Sequence, residues 1–186
     1  DWTVGELTAA VANSIGVLEA APLFHVCQGV RTSNAVLSST NYEKWLPRAT
    51  TLAELGFTAK TAAATAAGAP LVFRMRWFKM PCDRLLDGNA ALVHQLFLHA
   101  KRSLTAENVP LETDIAVRLA ALFLQASYGD YDPAKIRPSM IASAPEGTYF
   151  SRSVQDAVGD LVKLEGLASD ACSALRGTAP ADAERR

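Results

Sequence analysis

An α+β lobe followed by an all-helical lobe is the fold class this sequence predicts. Three observations carry that expectation. In the run from Leu71 to Phe78, Leu71, Phe73, Met75 and Trp77 fall on one face of a strand, with Arg74 and Arg76 on the other. A capped helical pattern and a short strand-like apolar run precede it. After the Met80-Pro81-Cys82 break, every periodic segment repeats at helical spacing instead. A sheet packed on a helix, then helices packed on helices, satisfies that order of periods.

Taken in order, Thr3-Val4-Gly5-Glu6 has the S/T-x-x-E form of a capping box. Val4, Leu7, Val11 and Ile15 mark one face of the helix it opens, and Gly16 ends it. Pro22–Gly29 (PLFHVCQG) has strand character, with Ala35–Ser38 as its expected partner across a turn. Tyr42, Trp45 and Leu46 predict a helical turn that drops aromatics into a core. Residues 59–69 (AKTAAATAAGA) read as a flexible insertion, although alanine itself permits helix. The Leu71–Phe78 strand then implies a sheet with one face on a helix and one face wet.

Asn89 caps a helix running to about Leu104, with a stripe of Leu92, Val93, Leu96, Phe97 and Ala100 and cations Lys101 and Arg102 in its last turn. A connection containing Pro110 leads to the central helix. Thr113 is its expected N-cap and Gly129 its stop, ahead of Asp132-Pro133. Ile115, Leu119, Leu122 and Ala126 form its expected core face, with Leu119 and Leu122 nearly fully buried. Alanines 116, 120 and 121 keep it slim. Pro133, Pro138 and Gly147 punctuate a loop. Helical segments follow at Ser151–Leu161 (Val154, Val158, Leu161) and Leu164–Leu175 (Leu167, Ala171, Leu175), and Asp182–Arg186 reads as the first turn of a helix cut short. The expected lobes are 1–80 and 81–186, meeting near Phe78–Leu86. A sheet of two or three short strands covers a helix poorly, so one or two further strands are expected ahead of Asp1.

Composition narrows function. Nearly half the residues are apolar and the net charge is −1, so no global field recruits nucleic acid or an anionic surface. Cys27, Cys82 and Cys172 make no CxxC pair, which speaks against a zinc ribbon or disulfide framework and fits a reducing compartment. No apolar run approaches the roughly 20 residues of a membrane span. A soluble cytoplasmic protein is the expected class. His94 and His99 lie about 140° apart on the helical wheel and cannot share a metal. His25 and Cys27 share a strand face but have no third partner. Asp130 and Asp132 lack the distal glutamate of a calcium loop, and turn chemistry accounts for them. Scattered glycines form no phosphate loop, and no Ser-His-Asp arrangement has supporting context. No catalytic residue, metal ligand or cofactor is therefore expected. The basic cluster Arg74, Arg76, Lys79 and Arg84, set against the single acid Asp83, is the candidate site. A solvated strand face is its ordinary reading; contact with anionic lipid or an acidic partner is the sharper one. Lys101 and Arg102 extend such a patch if the lobes fold toward each other.

These residues resemble a known family. VFRMRWF (72–78), QLFLHAKRSL (95–104), ENVPLE (107–112) and DIAVRLAALFLQASYGDYDP (114–133) look like the FERM domain of band 4.1, ezrin, talin and related proteins. In that family a ubiquitin-like lobe ends in such a strand. A helical lobe of acyl-CoA-binding-protein type follows, and its second long helix ends in Q-x-x-x-G-D, here Gln125 to Asp130. LFHVCQG (23–29) is similar to Janus and focal adhesion kinase FERM domains, and YFSRSVQD (149–156) to the talin, kinase and myosin-tail branches. The resemblance implies an incomplete ubiquitin-like lobe, a helical lobe, and a third, pleckstrin-homology-like lobe lying outside these residues. It implies a non-catalytic module without cofactors that docks a larger protein at the cytoplasmic side of the plasma membrane or at the cytoskeleton. The implied partners are cytoplasmic tails of membrane proteins, adaptor proteins or a phosphoinositide surface, and no nucleic acid. The regulatory front end of a non-receptor tyrosine kinase and the cargo-binding tail of an unconventional myosin are the alternatives.

Overall fold

The computed structural model describes residues 1–28, 44–57, 71–75, 86–105, 110–132, 141, 144 and 148–186. They divide into two units, Asp1–Leu92 and Val93–Arg186. The expected Ala35–Ser38 strand, the 59–69 insertion and most of the expected lobe boundary lie outside the described residues.

The first unit begins as its capping box predicts. Helix α1 spans Val4–Ser14; the Thr3 hydroxyl accepts from the Glu6 amide at 3.2 Å, and the Glu6 carboxylate accepts from the Thr3 amide at 2.7 Å. The next two amides, which no helical carbonyl can satisfy, donate to backbone: Val4 to Thr50 O at 2.8 Å and Gly5 to Arg48 O at 2.9 Å. That approach is why position 5 is a glycine, since a Cβ there would stand 3.2 Å from Arg48 O. The buried face of α1 is Val4, Thr8 and Ala12, with Leu7 half-buried against the core, so the stripe is turned from the expected Val4–Leu7–Val11–Ile15 line. Thr8 is admitted because its hydroxyl donates to Val4 O at 2.7 Å.

A 3-10 turn at Leu18–Leu23 leads into β1 (Phe24–Gln28). Strands β2 (Lys44–Trp45) and β3 (Leu71–Met75) flank it antiparallel, in the order β2-β1-β3. Two expectations change here. The segment read as a helical turn is β2 at Lys44–Trp45: Leu46 is buried, but Trp45 sits on the edge strand, 42% exposed. Tyr42 lies outside the described residues. The sheet also lacks a plain wet face, because Phe24, His25, Val26 and Cys27 are all buried on the central strand. Phe24 stacks on Phe73 at 4.8 Å on one side, and His25 meets the edge of Trp45 at 5.7 Å on the other.

In the second unit α2 (Ala90–Thr105) is capped by Asn89, whose Oδ1 accepts from the Leu92 amide at 2.9 Å. Helix α3 (Thr113–Tyr128) stops at Gly129, whose φ of 74° is one that glycine adopts without strain. Thr113 is not the N-cap: Glu112 holds that place and makes no side-chain cap bond. The larger correction concerns the face of α3. Ala116, Val117, Ala120, Ala121, Phe123, Leu124 and Gln125 are buried, whereas Leu119 and Leu122 are only half-buried and Ile115 is 41% exposed. The alanines do not merely slim the helix; they are the contact face, because small side chains let neighbouring backbones come close. The Cys172 thiol, for example, reaches Ala121 O at 3.5 Å.

The segment expected as one helix over Ser151–Leu161 is α4 at Arg152–Val158, stopped by Gly159 at φ 68°. Asp160 then caps α5 (Leu161–Ala174), accepting from the Val162 and Lys163 amides at 2.9 and 3.1 Å. Helix α5 buries Leu164, Glu165, Ala168 and Cys172, while Leu167, an expected core residue, is 39% exposed. Pro180 opens α6 (Pro180–Arg185) at a position where its missing N–H costs nothing. The core of this unit gathers the α3 face, Ile141, Tyr149, Phe150, Val154, Leu164, Ala168 and Cys172.

Candidate functional site

Of the basic cluster, the structure places Arg74 alone; Arg76, Lys79 and Arg84 lie outside the described residues. Arg74 is half-buried on β3, directly across from His25 of β1. Direct opposition in an antiparallel pair puts both side chains on one sheet face, the face that also carries Cys27 and Val72. His25 there engages Leu46 O through Nε2, and the Cys27 thiol donates to Val72 O at 3.4 Å. The shared face of His25 and Cys27 read from the sequence is therefore present, and both residues are packed into it.

Two polar groupings in the second unit were legible in the sequence only in part. The first is Lys101 of α2, whose ammonium stands 5.4 Å from the Phe123 ring centre and 5.2 Å from that of Tyr149. Aromatic faces offset part of the lost hydration, and burial lowers the lysine pKa. Burial, with the Tyr128 hydroxyl beside it, pushes the Tyr149 phenol well up. The sequence suggested a last-turn cation and a candidate extension of the basic patch for Lys101, but not these rings, since neither is near it in the chain.

The second grouping forms where α3 ends. Gln125 is fully buried; its amide nitrogen donates to Asp130 Oδ1 at 3.0 Å and to Thr178 O at 2.6 Å. Both partners are acceptors, which fixes the amide orientation and leaves Gln125 Oε1 buried without a hydrogen-bond partner. Asp130 Oδ1 also accepts from the Gly177 amide at 2.8 Å. The Gln125 and Gly177 donors hold the Asp130 carboxyl below its ordinary pKa. Turn chemistry is thus the observed role of Asp130. A lone glutamine in an apolar run, with an aspartate five residues on, was the available signal.

His94 of α2 meets Glu184 of α6, Nδ1 to Oε1, at 2.8 Å. The Cys172 thiol is pushed up to about 11 by burial, away from thiolate chemistry. Among the described residues no three His, Cys, Asp or Glu side chains gather as a metal site, and no helix is long and apolar enough to cross a membrane.

Among the described residues, a three-stranded sheet with a capped helix, followed by a unit of helices around a close-packed central one, defines a two-lobed α+β domain. Residues 86–186, more than half of the chain, match the sequence model of the FERM central domain, and the chain belongs to the FERM family. Solved structures agree on the fold. The FERM and C-terminal domain complex of Drosophila Merlin is similar at a TM-score of 0.71 and 18% identity, covering 98% of this chain and 56% of that one. The Dictyostelium discoideum myosin VII MyTH4-FERM MF2 domain (mutant 1) gives 0.64 and 11%, over 98% of this chain and 36% of that one. The MF1 domain of the same myosin gives 0.58 and 17%, over 98% and 35%. The chain therefore spans little more than half of the first of these structures and about a third of the others. No curated protein sequence matches it.

Proposed function

We propose that these residues are the first two lobes of a FERM-type docking module, which holds a larger cytoplasmic protein at a membrane surface. The single observation that carries this reading is the FERM central-domain match over residues 86–186, on a chain whose fold runs from sheet lobe to helical lobe. Its finer part, docking at the plasma membrane beside the tails of membrane proteins or the cytoskeleton, is supported by membership of the family. The basic cluster supplies the chemistry. Arg74, Arg76, Lys79 and Arg84 meet one acid, Asp83, within the same stretch. Cations beside an anionic leaflet contribute on the order of 1 kcal/mol each, which suits weak, reversible association.

Co-sedimentation with phosphoinositide-containing vesicles at low salt tests it. The wild type is expected to pellet with the vesicles, and Arg74→Glu/Arg76→Glu to remain in solution. Equal binding by both, or none by either, leaves the cluster as ordinary solvated surface.

A further inference from the structure

Helix α6 is held in an unusual way for an element packed on a core helix. It buries a single side chain, Ala183. The side-chain hydrogen bonds that tie it to the other helices stand at its two ends. Ahead of it, the Gly177 amide donates to Asp130 Oδ1 and the Thr178 carbonyl accepts from Gln125 Nε2. At the far end Glu184 meets His94 of α2. Asp130 is exposed and His94 half-exposed, so water competes for both clips. The closed arrangement also leaves Gln125 Oε1 dry and unpartnered, a cost that hydration of Gln125 would relieve. Gly177, at φ 83°, supplies a backbone position free to swing between α5 and the segment after it.

We propose that Gly177–Arg185 is a strap, clipped at both ends, which lifts from α3 in one step and unwinds, since so short a helix does not hold alone, while α3, α4 and α5 stay folded. Opening exchanges the Asp130 and Glu184 clips for water and uncovers Gln125, the polar residue in the otherwise apolar buried face of α3. Burial of only one alanine leaves this element little apolar contact to lose.

Hydrogen exchange on the intact protein tests the inference through the hydrogen-bonded amides of Gly177, Thr178, Asp182 and Ala183. In the wild type all four are expected to exchange through one common opening, at least ~100-fold faster than the amides of α3 and α5. Asp130→Ala removes an exposed carboxylate and should not threaten folding. It is expected to speed exchange at least ~10-fold at Asp182 and Ala183 as well as at Gly177, with the amides of α3 and α5 still at least ~100-fold slower than these. His94→Ala, acting at the other end, is expected to speed Gly177 and Thr178 in the same way. If each variant affects only the amides beside it, the segment frays locally and is no strap. If the amides of α3 and α5 exchange as fast as those of the strap, opening is global and the inference is equally wrong.

Discussion

Asp130 shows how an exposed residue can report on a fold. Its carboxyl sits below its ordinary pKa, first because Gln125 donates to it and then because the Gly177 amide does. A depressed folded-state value means that the ionised form is favoured by folding. The stabilisation is fully present above the unfolded aspartate value, about 3.9, and is lost as pH falls through the lower folded value. Glu6 behaves alike, with the Thr3 amide as the first cause. Asp130→Ala is therefore expected to lower Tm at neutral pH, with the gap to wild type closing as the pH drops below the carboxylate range. Melting curves across that range check it, and a gap independent of pH would show that Asp130 acts by something other than its charge. Caps were the most legible residues in the sequence, because a cap is a local hydrogen bond: Thr3 with Glu6, Asn89 and Gly129 all stand where expected. Asp160 was hidden only because the pattern ran straight through it. Gln125 was hidden by distance, its second acceptor lying 53 residues away.

At the scale of the element, helices were legible as elements and much less so as oriented faces. Periodicity finds a helix because apolar residues recur, but it ranks faces by hydrophobicity. In α3 the large side chains Ile115, Leu119 and Leu122 drew the stripe toward themselves, whereas close helix packing rewarded the alanine side. The same error set Leu167 in the core in place of Leu164 and Ala168. Truncation should expose the difference. Leu124→Ala and Leu164→Ala, at fully buried positions, are expected to cost about 2–5 kcal/mol, and Leu122→Ala at half-burial less than half of that. Denaturant unfolding measures all three; a Leu122→Ala cost equal to that of Leu124→Ala would restore the hydrophobic stripe as the core.

For the molecule as a whole, the change of period near residue 80 was the legible signal, and it suffices for an α+β lobe followed by a helical one. Strand partners were not legible. β1 pairs with β2 and β3, the latter across more than forty residues, and nothing local in Phe24–Gln28 names those partners. The candidate site was legible only as a run of like charges, of which Arg74 is the placed member. With a net charge of −1, any electrostatic attraction to an anionic leaflet must come from a local patch at short range, and that run is the candidate. Vesicle binding by the wild type is accordingly expected to fall steeply as salt shortens the screening length toward about 8 Å at physiological ionic strength, and to vanish on uncharged vesicles. Retention at high salt would assign the contact to apolar insertion instead.

The alanine face of α3 also changes how substitutions in this chain ought to be scored. Ala120→Leu raises hydrophobicity and keeps helix propensity nearly constant, so a scale of either kind passes it as benign. Yet Ala120 is wholly enclosed, and added methylenes there have nowhere to go. Ile115→Lys, which the same scales condemn, alters a side chain already reaching water. Along this helix the constraint is an upper limit on size rather than a lower limit on greasiness.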